Sequence, residues 1–455
     1  MRNDQPRAPV HDGAMATTRR RFLRDTALTG AALSLASCAV RRREPRPLDA
    51  KLKLGVIGVG GRGWDNFSGV LGQDIVAICD VDSRFLARAA GKVPEAAQYR
   101  DFRELIARPD LDGVVISTPD HTHYPAAKLA LDRGLDVYCE KPLTHTVKQA
   151  RRLRETADKN GCITQMGTQI HALPNYRRVV EMVQAGVLGT IREVHVFVNG
   201  TDWSSQGRAT PEAVPEFLDW KLWVGPALEP QYSPAYHPAG WRRFWDFGGG
   251  TTADMGCHYM DLAFWALDLG HPESVQADGT VMEDGGPPKG LNCTYRFPAG
   301  RNREALDLTW WAGSSRPEAQ LQSRGIDWRN GVLFVGDKGW LVADYTRNVL
   351  GPVEAFAGFT PPAQVIADSI GHYEEWILAC KTREPATALC NFGYGGVLTE
   401  AVLLANVAFR GARGEKLLWR PESMELIGAN KAGDQDPGRA AMKFLDVKQQ
   451  PGWPA

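Results

Sequence analysis

The residue types best suited to chemistry in this chain sit at three places far apart in sequence. Glu140-Lys141-Pro142 follows an apolar run, Gly134-Leu135-Asp136-Val137-Tyr138-Cys139, that reads as a strand. Proline keeps the residue before it out of helical geometry, so Lys141 is expected at the mouth of a sheet. A lysine partly desolvated there, with a lowered pKa, suits general acid/base work on a hydroxyl. A surface lysine whose stem packs on the sheet is the alternative. Asp254 and His258 stand at i and i+4 behind three glycines, Gly248 to Gly250. The glycines break structure, Thr251 or Thr252 can cap, and the helix that follows carries both side chains on one face. An aspartate stabilising the helix dipole beside a packed histidine is the alternative there.

The third place is Gly58-x-Gly60-x-x-Gly63, within the stretch Lys51 to Gly63, which reads as a short buried strand running into a glycine turn and then a helix. The first glycine allows a tight turn, the second lets backbone approach a pyrophosphate, and the third lets helix and strand pack closely. A second strand, Asp74 to Cys79, ends on Asp80, where a carboxylate meets a ribose hydroxyl. The pattern predicts a nicotinamide dinucleotide, held by Gly58, Gly60, Gly61, Arg62, Gly63 and Asp80. Asp80 favours NAD because a carboxylate repels a 2′-phosphate. Arg62 and Arg84 could soften that preference, which keeps NADP open. The strand Gly113 to Ser117 delivers the stretch Thr118 to His123, with Thr118, Pro119, His121 and His123 as cofactor contacts, to the same crevice. His121 and His123 lack a carboxylate cluster, so no metal is expected.

These residues need two domains, and 455 residues allow them. Strand and helix patterns alternate over 51–172, which predicts a parallel sheet with crossover helices. From Gly189 the pattern changes to period two and the strands are separated by glycine and proline loops, so 173–430 reads as a second α/β domain. Residues 431–455 read as a polar tail. Lys+Arg and Asp+Glu both total 53, which gives no electrostatic pull toward nucleic acid or membrane. The eight cysteines show no zinc spacing and read as small buried hydrophobes.

Residues 1–50 read as targeting sequence. Thr18-Arg19-Arg20-Arg21-Phe22-Leu23-Arg24 resembles a twin-arginine export signal and precedes an uncharged, small-residue run from Ala27 to Val40. The twin-arginine translocase and a periplasmic destination follow from that likeness. Leu35-Ala36-Ser37-Cys38 also looks like a lipidation site at Cys38. Arg41 to Leu48 reads as a linker.

Taken in order, Gly58-x-Gly60-x-x-Gly63, Asp80, Thr118-Pro119 and Glu140-Lys141-Pro142-Leu143 resemble the Gfo/Idh/MocA oxidoreductases over nearly the whole chain after residue 50. The resemblance implies a Rossmann domain followed by an α/β domain with a large, mostly antiparallel sheet, whose outer face often joins two copies. It implies that Lys141 is catalytic and that Asp254 and His258 face a sugar-like substrate, His258 as acid/base and Asp254 as its orienter. Glu140 comes to the cofactor with the motif. The aromatic stretch from 200 to 247 offers Tyr236, His237, Trp241 and Arg242 as further substrate contacts, while most of its rings read as core or interface. An exported enzyme cannot easily trade cofactor with a cytoplasmic pool, so NAD is expected to stay bound. Three activities stay open: a sugar oxidoreductase, a redox-neutral NAD-dependent glycoside hydrolase, and a noncatalytic sensor.

Overall fold

The structure, a computed structural model, describes residues 44–453 except 229, 302, 431 and 432. The export motif and Cys38 lie outside the described residues. Strands β1 (Lys53–Ile57), β2 (Asp74–Cys79), β3 (Ala97–Tyr99), β4 (Gly113–Ile116), β5 (Asp136–Glu140) and β6 (Thr164–Gly167) form one parallel sheet in the order β3-β2-β1-β4-β5-β6. β4, β5 and β6 are buried at every position, which is why they read as continuous apolar runs rather than alternating ones. The strand order reverses between β1 and β4, and a crevice opens there at the strands' C-terminal ends.

The remaining strands are β7 (Ile191–Val198), β8 (Ser274–Gly279), β9 (Gly290–Phe297), β10 (Leu306–Gly313), β11 (Asn330–Gly336), β12 (Trp340–Ala343), β13 (Asn348–Gly351), β14 (Lys416–Arg420) and β15 (Glu425–Gly428). They make a nine-stranded sheet, β13-β12-β11-β7-β10-β9-β8-β14-β15, in which only the β7–β10 pair is parallel. Its inner face, with Leu291, Cys293, Tyr295 and Phe297 from β9, packs in one core with residues of helices Gly250–Ala266 and Phe392–Ala412. That core also includes Ile116 and Val137 of the parallel sheet, so the two sheets share their packing. Seven cysteines are described, and all are buried.

The helix after β4 begins at Asp120 and carries Pro125 inside it. Burial of Asp120 to Tyr124 outweighs the bond lost at the proline. Residues 44–50 are not a free linker: Arg46 donates its N–H to Lys381 O at 2.8 Å and its guanidinium to Asp112. Residues 431–455 are more than a polar tail: their described part contributes the helix Pro437–Met442, a fully buried Leu445, and Trp453, whose ring meets Phe102 at 5.7 Å. A few apolar anchors among polar residues were too sparse to give a period.

One ion pair ties the halves. Arg151, on helix Val147–Asn160, binds Glu400 through Nε and Nη2 at 2.9 and 2.8 Å, and Glu400 is fully buried on the long core helix. Burial pushes the Glu400 carboxyl up despite the arginine. Arg151→Ala is expected to cost about 3–5 kcal/mol in urea unfolding, because it leaves a buried charge short of its main partner. A loss below about 1 kcal/mol would contradict this.

Candidate active site

The crevice is a cavity of about 740 Å³ between the C-terminal edge of the parallel sheet, the Gly250–Ala266 helix and the loop carrying His237 to Arg242. Gly58 turns the chain at φ 81°, where a Cβ would stand 2.7 Å from Ser117 O. A Cβ on Gly63 would stand 2.1 Å from Gly58 O, so only glycine lets the helix Arg62–Gly69 start this close to β1. The amides of Gly60 and Gly61 have no acceptor among the described residues and stand at that helix's start. Asp80 lines the crevice and accepts the N–H groups of Val59 and Asp82, both at 2.9 Å. Burial raises its carboxyl, partly offset by those two bonds. Free amides at a helix start beside a carboxylate at the end of β2 fit a dinucleotide's pyrophosphate and adenosine ribose.

At the other end, Lys141 Nζ donates to Asp254 Oδ1 at 2.9 Å and to Asp254 O at 2.5 Å. Asp254 also accepts from Arg242 Nε at 2.9 Å and from Trp203 Nε1 at 2.7 Å. Burial alone would raise the Asp254 carboxyl, but the charges of Lys141 and Arg242 outweigh it and hold the group well below the usual carboxylate range. His258 lines the cavity, and its buried Nδ1 has no hydrogen-bond partner among the described residues. Burial, reinforced by the Lys141 charge, pushes the imidazole well below its ordinary value, so it is neutral at pH 7. Glu140 Oε1 gathers Asn66 Nδ2 at 2.8 Å, Gln169 Nε2 at 2.7 Å and Arg62 Nε at 3.4 Å, which fixes the end of β5 beside Lys141.

Of the residues expected at the site, Gly58, Gly60, Gly61, Arg62, Asp80, Thr118, Pro119, His123, Glu140, Lys141, His237, Trp241, Arg242 and His258 all line this one cavity. Gly63 packs beneath it, and Asp254 stands behind Lys141 as its anchor rather than on the wall. His121 is not brought to the cofactor crevice. Its Nε2 meets Trp223 O at 2.9 Å among buried aromatics, and burial pushes the ring down to about 3. His123 has both ring nitrogens on backbone carbonyls, those of Pro142 and Thr118, so it braces the two loops. Tyr236 is not a wall residue either: it packs with Trp220, Trp223 and Phe247 in a separate aromatic core. His237 lies at the Asp80 end of the crevice, with Nε2 2.9 Å from Asp82 Oδ2. The helix carrying Asp254 is capped by Gly249 rather than by a threonine, since Thr251 Oγ1 takes Trp203 N–H instead.

Sequence reasoning missed Trp203 and Gln169. Trp203 stood in the aromatic stretch without a sign of its carboxylate partner, and Gln169 sat at the end of a predicted strand. Asp120 was visible directly after Thr118-Pro119. It is 4% exposed, lines the cavity, and burial pushes it up to about 8.

Two family descriptions match the chain. An oxidoreductase family NAD-binding Rossmann fold matches residues 52–168, and the same family's C-terminal alpha/beta domain matches 173–290. Glycosyl hydrolase family 109 protein 2 of Shewanella sp. (strain ANA-3) is 32% identical over 204 residues, covering 38% of this chain and 44% of that one. The D-xylose 1-dehydrogenase (NADP(+)) of Hypocrea jecorina is 29% identical over 215 residues, covering 46% and 49%. The chain thus spans about half the length of the curated relatives it matches. The WlbA dehydrogenase from Bordetella pertussis, solved with NADH and UDP-GlcNAcA, superposes with a TM-score of 0.58 at 17% identity, over 81% of this chain and 99% of that one. The glycine turn, the Glu140-Lys141-Pro142 corner, the second sheet and both family matches agree: the chain belongs to the Gfo/Idh/MocA oxidoreductase family, with an NAD-binding Rossmann domain.

Proposed function

We propose that this protein removes hydride from a hydroxyl-bearing carbon of a sugar or sugar-like polyol, and that its NAD stays bound through turnover. The observation that carries the reading is Lys141, anchored on Asp254, sharing one cavity with a neutral His258 and the dinucleotide turn. NAD supplies the hydride acceptor when bound. Lys141 directs positive charge at the reacting oxygen, which stabilises developing negative charge there. His258 takes the hydroxyl proton, and its neutral ring suits a base. Arg242 and Trp203 fix Asp254, and Asp254 fixes the lysine.

Retention of the cofactor is supported by a strap from the second half. Ser83 N donates to Phe217 O at 2.9 Å, Asp219 N to Val81 O at 3.0 Å, and the Arg84 guanidinium sits 3.4 Å from the Phe217 ring centre. With the His237–Asp82 contact these bonds span the adenosine end, so release would require the strap to open. Protein purified without added dinucleotide is expected to release NAD on denaturation, identified by mass and absorbance. Protein free of nucleotide would contradict retention, and a 2′-phosphorylated cofactor would contradict the preference expected from Asp80.

The second reading is a redox-neutral glycosidase, favoured by the likeness to a glycosyl hydrolase family 109 protein. Multiple turnovers of phenol from a nitrophenyl glycoside, with no added acceptor, would establish it over a dehydrogenase. We also propose export through the twin-arginine translocase on the Thr18–Arg24 motif, either as a periplasmic protein or anchored at Cys38, and self-association through the nine-stranded sheet. Mass spectrometry of the exported N-terminus and size-exclusion with light scattering check these.

A further inference from the structure

Asp120 is a carboxyl group without a stated purpose. It opens the helix Asp120–Asp132 directly after β4, is 4% exposed, and turns that remnant into the cavity. Its carboxylate has no hydrogen-bond donor among the described residues, although an unpaired buried charge is costly. Every other acidic group named around the cavity is served: Asp80 by two amides, Asp254 by two cations and an indole, Glu140 by Asn66, Gln169 and Arg62.

The groups facing Asp120 come from each element around it. Lys141 and Glu140 stand at the end of β5, with the Cys139 thiol beneath. Asp254 and Cys257 come from the Gly250–Ala266 helix, where His258 shares the cavity wall, and Arg242 comes from the turn Gly240–Arg243. On its own helix, His123 is tied to two carbonyls. The two cations among these are already spent on Asp254. All of these neighbours belong to the reacting end of the crevice, and none to the Asp80 end.

We infer that Asp120 is the counter-charge for the oxidised nicotinamide: it is ionised when the positive ring is bound and takes up a proton when the neutral, reduced ring replaces it. The carboxylate lacks a cation of its own because the cofactor brings one. In the free protein burial holds the group up to about 8, so it is largely protonated at pH 7. Binding of the positive ring lowers its proton affinity, and by linkage ionisation favours the oxidised over the reduced form. The balance is one proton leaving the carboxyl on binding NAD⁺ and none on binding NADH. Asp120 thereby sets which oxidation state the site prefers and makes that preference rise with pH.

This rests on the crevice binding a nicotinamide dinucleotide, not on the sugar chemistry, so its test contains no substrate. Protein stripped of nucleotide is titrated calorimetrically with NAD⁺ and with NADH at pH 7, in two buffers of different ionisation heat. Release of roughly half a proton or more is expected with NAD⁺ and near none with NADH. In Asp120→Asn the release should vanish. At pH 9 the variant's NAD⁺-to-NADH affinity ratio should fall about tenfold against wild type, and it should stay flat from pH 6 to 9. Equal proton counts for the two cofactors, or a ratio within about twofold of wild type in the variant, would overturn the inference. If Asp120→Asn does not fold, the wild-type proton counts decide alone. A protein that passes this test yet oxidises no sugar would fail only the activity proposed above.

Discussion

Lys141→Ala is expected to lower turnover by about 10³-fold while leaving NADH affinity within about threefold of wild type. The size follows from what the ammonium does at the site. In the function proposed above it is the charged donor beside the reacting oxygen, and a positioned charge in a dry cleft is worth far more than in water. Its loss does little to the fold, because Asp254 keeps Arg242 Nε at 2.9 Å and Trp203 Nε1 at 2.7 Å. The glycine turn and Asp80, which hold the far end of the cofactor, are untouched. Stopped-flow reduction of bound NAD by a substrate sugar and fluorescence titration with NADH check the two halves separately. Unchanged turnover would return the protein to the class of noncatalytic sensors. Equal losses in turnover and in NADH affinity would mean that Lys141 merely holds the cofactor.

Which parts of this site could be read from sequence follows from how each is encoded. The glycine turn is local: Gly58 needs a positive φ and Gly63 a missing Cβ, and both needs leave glycines at fixed spacing. The strands β4 and β5 are local too, since burial on both faces writes a continuous apolar run. Lys141 and the Asp254–His258 pair were legible through the corner and the helix that present them. What joins them was not. Trp203 reaches Asp254 across 51 residues, and Arg151 reaches Glu400 across 249. Such contacts depend on how two sheets dock, which no period in either segment records. His237 shows the same limit from the other side. It stands only a few residues before Arg242, but the loop turns between them, so Arg242 meets Asp254 while His237 meets Asp82. Tyr236 and His121 show how an aromatic or histidine near a motif is taken up by packing once a core lies beside the site.

Asp254→Asn is expected to cost both activity and stability, and the two losses have one cause. Asparagine keeps the shape and can still accept from Trp203, but Lys141 and Arg242 then share a mostly buried site with no anion between them. Lys141 and Asp254 side chains are 10% and 13% exposed, so solvent screens the pair little. Removing one member of such a pair costs about 3–5 kcal/mol, most of it from the charge left behind. Two uncompensated cations also push Lys141 away from the position that serves the reacting oxygen, so turnover should fall by about 10²-fold or more. The pH dependence gives the decisive signature. Asp254 is held well below the usual carboxylate range in the folded protein, so its stabilisation is complete above the unfolded value of about 3.9 and is lost as pH falls toward the folded one. The stability gap between wild type and Asp254→Asn should therefore be constant from about pH 5 upward and narrow below about pH 4. Urea unfolding of both proteins at pH 7 and pH 3 measures it. A gap equally wide at both would mean that the aspartate contributes shape alone, and Lys141 would then have to be held by its bond to the Asp254 carbonyl.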